Sequence, residues 1–253
     1  LKISIFVLAS FLICFAGESN TDTNIQVGTS SIKVNNQVYG AKPNENGPIG
    51  GGSGYKQIIN KGNYRVKDLD ALIDALKNVK SGEIIFIDGN AEIDCTDIIF
   101  TEKFQIRLPA DVTLASNRGY KGSEGAIIKS DNFATSPLIN TRGPNVRITG
   151  LRIIGPDPKP RLEHHQRSYN PARSDSKAQS HYYYLFPNSD GILTDHEGLE
   201  VDNCELSGWS QAAIYLRKGG RHHIHHNYIH HNQRQGLGYG ISHGYEKNIS
   251  SLI

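Results

Sequence analysis

The strongest constraint on the fold is a nine-residue phrase that recurs with a period of 23 residues. Its first copy spans residues 199–207, LEVDNCELS, and its second spans residues 222–230, HHIHHNYIH. Val201 and Ile224 occupy equivalent positions, since 224 − 201 = 23. A third copy, residues 146–154, begins 199 − 146 = 53 residues before the first, which is the period plus about 30 inserted residues. Repeats of this length are typical of solenoids, in which each unit buries its apolar face against its neighbours.

Each phrase alternates apolar and polar residues at period two, which predicts a short β-strand. Bends are expected at Gly150, Asn203 and His226, each followed by a second short strand. A further strand precedes each phrase. These strands are predicted at residues 138–139, 191–193, 213–216 and 240–242. One repeat is therefore three short strands with no helix between them.

This arrangement resembles the right-handed parallel β-helix of the pectate-lyase-like superfamily over roughly residues 60–253. The predicted fold class is all-β, a right-handed parallel β-helix (solenoid). The resemblance predicts the fold but leaves the activity open, because that scaffold carries lyases, hydrolases, epimerases and non-enzymatic adhesins.

An N-terminal helix is predicted between Val66 and Val79, where apolar residues recur at helical spacing and Ser81-Gly82 ends the pattern. A helix at this point would cover the apolar end of the stack, as the resemblance also implies. The run at residues 98–100 is predicted as a strand of an early coil. Residues 61–253 form the predicted β-helix domain. The chain stops on apolar Leu252-Ile253 without a polar cap, so we expect further coils beyond its C-terminus.

The N-terminus is typical of an export signal. An apolar run at residues 3–15 follows Lys2, and small residues follow at 16–17, which predicts a signal peptide at residues 1–17. Lipid anchoring at Cys14 is disfavoured because the preceding Leu-Ile lacks the small residue that lipidation prefers. We expect a flexible segment at residues 18–60, no membrane span, and a secreted, periplasmic or cell-surface monomer.

Charge and cysteine content exclude some classes of protein. The net charge is +2, from 27 basic and 25 acidic residues. A net charge this small does not indicate nucleic-acid binding. Cys95 and Cys204 lie in different repeats and are predicted to be buried and unpaired, without a disulfide framework or a zinc site.

The repeat register predicts which outward side chains are neighbours on successive coils, which lie roughly 4.8 Å apart. Glu200 is expected beside His223, Asp202 beside His225, and Asp195 beside Arg217. Carboxylates beside imidazoles can hold a divalent metal or form an acid–base pair. A structural ladder of hydrogen-bonded pairs is preferred over a metal, because no recognised ligand spacing is present.

Residues 188–192, NSDGI, resemble the Asn-x-Asp-Gly motif of polygalacturonase-type glycosidases. The resemblance extends to Asn188 and Asp190 and, by proximity, to His243. The next coil lacks the second carboxylate that an inverting glycosidase requires. Asp-Gly is equally consistent with a turn before a strand.

β-Elimination of a uronate polymer requires a base near C5 and a cation that neutralises the carboxylate. Basic and imidazole side chains cluster around the His-rich coil. The inserted loop at residues 155–187 carries Tyr and Arg residues. This loop either forms a wall over a groove or is a polar excursion on the outside of the solenoid. The catalytic candidates are Arg217, Lys218, His223, His225 and Asp190. The substrate-binding candidates are Arg221, Arg234, Tyr182, Tyr183, Tyr215 and Asn188. The candidate Ca²⁺ ligands are Asp190, Asp195 and Glu197, with Glu200 and Asp202.

The sequence therefore predicts a secreted protein that acts on acidic polysaccharide as a lyase. A polygalacturonase-type glycoside hydrolase and a non-catalytic carbohydrate-binding or surface protein are the alternatives. The polymer, the base and the need for Ca²⁺ are left open at this point.

Overall fold

Short parallel strands wind through three sheets, and successive turns of the chain add one strand to each sheet in rotation. The computed structural model describes residues 31–34, 37–40, 42–156, 187–233, 237–246 and 249–253. An antiparallel hairpin of β1 (Ser31–Val34) and β2 (Gln37–Gly40) precedes the three sheets. Sheet A contains β3 (Tyr64–Val66), β4 (Ile84–Ile87), β7 (Thr113–Ala115), β10 (Arg147–Thr149), β13 (Glu200–Asp202), β16 (His222–His225) and β19 (Ser251–Leu252). Sheet B contains β5 (Glu92–Asp94), β8 (Ile127–Lys129), β11 (Arg152–Ile154), β14 (Glu205–Ser207) and β17 (Tyr228–His230). Sheet C contains β6 (Ile106–Leu108), β9 (Ile139–Thr141), β12 (Asp190–Thr194), β15 (Ala212–Leu216) and β18 (Tyr239–His243).

The inward residues stack in register along the axis. Val201 lies opposite Ile148 on one side and Ile224 on the other, and all three side chains are buried. In sheet B, Leu206 likewise lies between Ile153 and Ile229. A single apolar core therefore runs through the tube, which confirms the parallel β-helix predicted from the 23-residue period.

Single left-handed residues make the corners between sheets A and B. Gly150, Asn203 and His226 have φ values of 70°, 54° and 52°, at the three predicted bends. Inside the last of these corners, the Cys204 N–H donates to Asn227 Oδ1 (2.9 Å), and Asn227 Nδ2 donates to the Val201 carbonyl (2.7 Å). An Asn at this point satisfies the backbone groups that the turn leaves unpaired.

Helix α1 (Leu69–Asn78) covers one end of the stack. Asp68 caps it by accepting a hydrogen bond from the Ala71 N–H (2.9 Å), and α1 contacts β3, β4 and β6. Its buried residues Leu72 and Ala75 belong to the same core as the strands. The predicted N-terminal cap is confirmed, although it begins later than expected because residues 64–66 pair with β4.

The strand predicted at residues 98–100 is wrong, because those residues lie in helix α2 (Thr96–Glu102). Ile99 is its buried residue, while Phe100 is 73% exposed. Lys103 ends the helix in the left-handed conformation at φ 55°. A short apolar run fits either a strand or one face of a helix, so periodicity alone does not separate the two.

A strap formed by residues 44–62 runs along the outside of the corner between sheets A and B. The Gly52 N–H donates to Asn203 Oδ1 (2.7 Å), and Arg118 Nη1 donates to the Gly50 carbonyl (3.0 Å). Tyr55 is 4% exposed. All but the last two residues of the strap fall within residues 18–60, for which the sequence predicted a flexible segment. The predicted signal peptide and Cys14 lie outside the described residues.

The two described cysteines, Cys95 and Cys204, are free thiols and buried, as predicted. Within the described parts of the chain, no helix combines the length and apolar character needed to cross a bilayer.

Candidate functional site

The outer face of sheet A carries an ordered row of charged and imidazole side chains. Arg147 lies opposite Glu200, and Glu200 lies opposite His223. Two residues further along the same strands, Asp202 lies opposite His225. These five residues are called the outer ridge below. The predicted neighbours Glu200–His223 and Asp202–His225 are confirmed, because the 23-residue period fixes the register between coils.

Asp202 is the buried anchor of the outer ridge. Its side chain is fully buried, and Arg147 donates to it from Nε and Nη2, both at 2.9 Å. The Thr149 hydroxyl and the Tyr55 hydroxyl each donate to Oδ2 at 2.8 Å. Burial, followed by the Asp202 charge, raises the pKa of Tyr55, so its hydroxyl remains a donor. The buried carboxylate is therefore paired and hydrogen-bonded, which removes most of the cost of burying a charge.

A chain of hydrogen bonds sets the protons on His225 and His226. Asn44 Oδ1 accepts from the Asn46 N–H (2.9 Å), so it also acts as acceptor towards His226 Nε2, 2.9 Å away. Burial lowers the pKa of His226, so the ring is neutral and its Nδ1 accepts from His225 Nδ1 across 2.7 Å. His225 Nε2 faces Glu200 Oε1 at 3.2 Å and donates there. Glu200 Oε1 thus lies where its negative charge faces the His225 ring.

The pairing with His225 lowers the pKa of Glu200. The hydrogen bond from His225 is the main reason that the pKa of Glu200 lies below its usual value, with the Arg147 charge adding to it. The Arg147 Nε lies 3.7 Å from Glu200 Oε1. The carboxylate is therefore ionised at neutral pH and holds His225 in place.

His223 is the partly exposed imidazole of the outer ridge. Its ring centroid lies 3.9 Å from that of His225, with the planes tilted by 36°. Burial and then the charge of His225 lower the pKa of His223. A neutral ring at neutral pH is able to accept a proton from a ligand lying on the ridge.

Three predicted cations line the corner that leads from sheet C to the outer ridge, and each has a carboxylate partner. Arg221 Nη2 lies 2.8 Å from Glu197 Oε1, and both side chains are more than half exposed. The other pairs are Arg217 with Asp195, which confirms their predicted alignment, and Lys218 with Glu246 at 3.4 Å. Exposed ion pairs of this kind contribute little free energy of stabilisation. A carboxylate of a ligand can therefore displace the protein carboxylate from each cation.

Asp190, by contrast, lies in sheet C and is 2% exposed. It accepts a hydrogen bond from the Ser136 hydroxyl (2.6 Å), and burial raises its pKa to about 6. Among the predicted Ca²⁺ ligands, Asp190 and Asp195 belong to the sheet C side, whereas Glu200 and Asp202 lie in sheet A. The structure does not bring these four carboxylates into one shell.

The remaining predicted residues are spread around the tube. Tyr215 lies on the outer face of sheet C opposite Leu193 and Ser242, and Asn188 precedes β12. Arg234, Tyr182 and Tyr183 lie outside the described residues. The catalytic and binding roles given to all these residues stay predictions.

The donor atoms of Glu200, His223 and His225 all lie within 4.8 Å of one another, close enough to surround a cation. Two imidazole nitrogens and one carboxylate suit a transition metal better than Ca²⁺, which prefers oxygen ligands. The Ca²⁺ prediction therefore gains no support from the outer ridge and stays a prediction. The 3.2 Å hydrogen bond between His225 Nε2 and Glu200 Oε1 already accounts for their contact.

Sequence reasoning missed Arg147, Tyr55 and Asn44. Arg147 carried a usable signal, because it occupies the same repeat position as Glu200 and His223. Tyr55 and Asn44 carried none, since the strap has no periodic pattern.

The Glu–His–His arrangement occurs a second time, in sheet B. His230 Nε2 lies 3.1 Å from Glu205 Oε1, and its Nδ1 lies 2.6 Å from His231 Nδ1. Tyr228, whose ring stacks on His230, takes the place that His223 has on the outer ridge. This second pair is therefore a matched control that lacks the additional imidazole.

Comparison with known proteins concerns the fold. No protein-family model and no curated protein sequence matches the chain. Among solved structures, the crystal structure of alginate lyase from Paenibacillus sp. str. FPU-7 is similar, with a TM-score of 0.50 and 16% sequence identity. The match covers 74% of this chain and 56% of the alginate lyase, so the chain spans little more than half the length of that protein. At this identity the likeness supports the β-helical fold and does not carry over an activity.

Proposed function

We propose that this protein is an exported polysaccharide lyase that cleaves a uronate-containing polysaccharide by β-elimination, with the outer ridge as its active site. The observation that carries the proposal is the position of the His223 ring, whose centroid lies 3.9 Å from that of His225 beside Glu200, and which is close in sequence to the exposed Arg221. The similar fold of an alginate lyase is in keeping with this reaction class. Export follows from the apolar run at residues 3–15, and a polysaccharide substrate outside the cell requires it.

In this proposal His223 is the general base. It takes the proton from C5 of the uronate, the C4–O bond breaks, and a C4=C5 double bond forms. The departing oxygen takes a proton from water, and the hydroxide that this leaves takes the proton from His223, which restores the base. Burial, and then repulsion from the charge of His225, lower the pKa of His223, which favours the unprotonated ring before the reaction.

Arg221 is the clamp for the uronate carboxylate. Removal of the C5 proton shifts negative charge onto that carboxylate, so a cation beside it stabilises the transition state. Arg221 immediately precedes β16, and its ion pair with Glu197 is exposed and exchangeable. Its guanidinium matches a carboxylate through two parallel hydrogen bonds. Lys218, earlier in the same corner, extends the positive edge towards the next sugar.

The decisive experiment incubates the full-length mature protein with a panel of uronate polymers, with and without a chelator. Elimination leaves an unsaturated uronide that absorbs in the ultraviolet, and new reducing ends are counted in parallel. We expect both signals to rise together with at least one polymer. Loss of general base catalysis in His223→Gln lowers kcat by about 100-fold or more. Arg221→Gln lowers kcat/KM, while His230→Gln, in the second Glu–His–His pair, leaves the rate unchanged.

The alternatives give different signals. Reducing ends without ultraviolet absorbance would replace the lyase with a glycoside hydrolase. Retention on a polymer without new chain ends would identify a carbohydrate-binding protein. Loss of activity in the presence of the chelator would indicate that the site needs a metal ion. His223 would then not be the general base.

A further inference from the structure

A polar cleft lies at the α1 end of the tube, away from the outer ridge. Its volume is about 780 Å³, within the range of sites that bind small molecules. It opens between the end of the strap, at residues 60–62, and the loop at residues 117–124. Arg65 and Phe86 of sheet A and Arg152 of sheet B complete the lining. None of these residues belongs to the outer ridge.

The charges of this cleft are unbalanced. Its two carboxylates are already paired, Asp88 with Arg65 Nε at 2.6 Å and Glu124 with Arg152 Nη1 at 3.0 Å. The lining also contains Lys61 and Lys121. Neither lysine has a carboxylate partner among the residues that the structure describes. Four cations against two carboxylates leave a formal charge of +2, which favours an anionic ligand.

Unpaired amides accompany the two lysines. The side chains of Asn60 and Asn90 line the cleft, and in the described part of the chain they make no hydrogen bonds. Each amide offers a donor and an acceptor side by side, which matches the adjacent hydroxyl groups of a sugar ring. The Lys121 Nζ lies 5.3 Å from the centre of the Tyr120 ring, so an aromatic face lies beside one of the lining cations. The lining thus suits a ligand that is both anionic and rich in hydroxyl groups.

The walls of the cleft are held in shape before any ligand arrives. The Gly119 N–H donates to the Ser123 carbonyl (2.7 Å), and the Ser123 hydroxyl donates to Asn117 Oδ1 (2.7 Å). At Gly89 a Cβ would lie 1.9 Å from Asn117 Oδ1, so the loop packs directly on the coil below it. A rigid site loses less conformational entropy on binding than a mobile one.

We propose that this cleft is a separate binding site for an acidic saccharide, in which Lys61 and Lys121 bind the anionic groups and Asn60 and Asn90 bind hydroxyl groups. The cleft shares sheet A with the outer ridge, and β4 and β16 are four strand spacings apart, roughly 19 Å. An extended polymer therefore reaches from the cleft to His223. The choice of an acidic saccharide as ligand rests on the proposed function, whereas the anionic and hydroxyl-binding character of the cleft does not.

The test measures binding directly by calorimetry. The background protein carries His223→Gln and Arg221→Gln, so that it neither cleaves the ligand nor clamps it on the ridge. The ligands are a uronate oligosaccharide, a sulfated oligosaccharide and a neutral oligosaccharide of the same length. Lys61→Gln with Lys121→Gln weakens binding of the uronate oligosaccharide by about tenfold or more for each lysine replaced. The matched control, Lys67→Gln with Lys103→Gln, removes two exposed lysines elsewhere and leaves the affinity unchanged.

Each outcome of the calorimetry either supports or overturns the proposed binding site. Binding of the sulfated ligand that disappears in the same cleft variant supports the proposal and identifies charge as the recognised feature. Equal binding of the neutral ligand, or an equal loss of affinity in the control variant, overturns it, as does wild-type affinity in the cleft variant. If no polymer yields an unsaturated product and the cleft variant still binds more weakly, the lyase proposal fails and the cleft proposal stands. If product forms and the cleft variant binds normally, only the cleft proposal fails.

Discussion

The Tyr55 hydroxyl donates a 2.8 Å hydrogen bond to Asp202 Oδ2, which joins the strap to sheet A across 147 residues of sequence. Asp202 is fully buried and accepts two further hydrogen bonds from Arg147. One side chain from outside the repeats thus completes the hydrogen bonding of a carboxylate that the repeats place. The contact couples the strap to the outer ridge, because Arg147, which Asp202 also binds, lies opposite Glu200.

Tyr55→Phe tests this coupling. A hydrogen bond to a charged group contributes about 1.5–3 kcal/mol, and its loss leaves a buried carboxylate with one donor fewer. We expect the free energy of unfolding to fall by about that amount in urea denaturation, with an unchanged m-value. Tyr245→Phe is the control, because Tyr245 is fully exposed. Equal stability of Tyr55→Phe and the wild type would show that the strap does not stabilise the ridge.

His225→Gln tests whether the charge of His225 controls His223. Burial and then the charge of His225 lower the pKa of His223, and a base must be unprotonated to act. Activity is therefore lost as the pH falls through the pKa of His223. Without the imidazolium that pKa rises, so the acidic limb of the kcat/KM profile moves to higher pH. His230→Gln leaves the limb in place. An unmoved limb in His225→Gln would remove the electrostatic link between the two rings.

Asp190→Asn gives a pH-dependent change in stability. Burial raises the pKa of Asp190 to about 6, from an ordinary value of 3.8. The folded state therefore favours the protonated carboxyl, and this contribution to stability is complete below pH 3.8 and is lost as the pH rises through 6. Relative to Asp190→Asn, the wild type should lose about 2 kcal/mol between pH 4 and pH 8. A difference in unfolding free energy that stays constant over this range would contradict the raised pKa.

The cysteine thiols are expected to be unreactive in the folded protein. Cys95 and Cys204 are both buried, and burial raises the pKa of each thiol to about 12. Since the thiolate is the reactive form, a thiol reagent should modify neither residue until denaturant is added. The kinetics of labelling, followed by mass spectrometry with and without urea, measure this. Rapid labelling of Cys204 under native conditions would show that the coil around it opens.

The register of the coils was within reach of the sequence. The offset between Val201 and Ile224 places Glu200 beside His223, since parallel strands in a stack repeat the same spacing on both faces. Helix α1 was also predictable, because its apolar period of 3.6 residues extends over several turns. Helix α2 was not, because three apolar residues in a row do not distinguish a helix from a strand.

The amino-acid sequence by itself thus determined the tube, its corners and the rows of outward side chains. All of these depend on local periodicity and on pairing between equivalent positions. Tertiary structure alone decided which of those rows became a connected network. Tyr55 and Asn44 reach the outer ridge from a strap without any repeat, and their hydrogen bonds hold Asp202 and the His226 ring, which contacts His225. Contacts between segments 147 and 182 residues apart leave no periodic trace, because nothing in the spacing of residues records where a non-repeating segment docks.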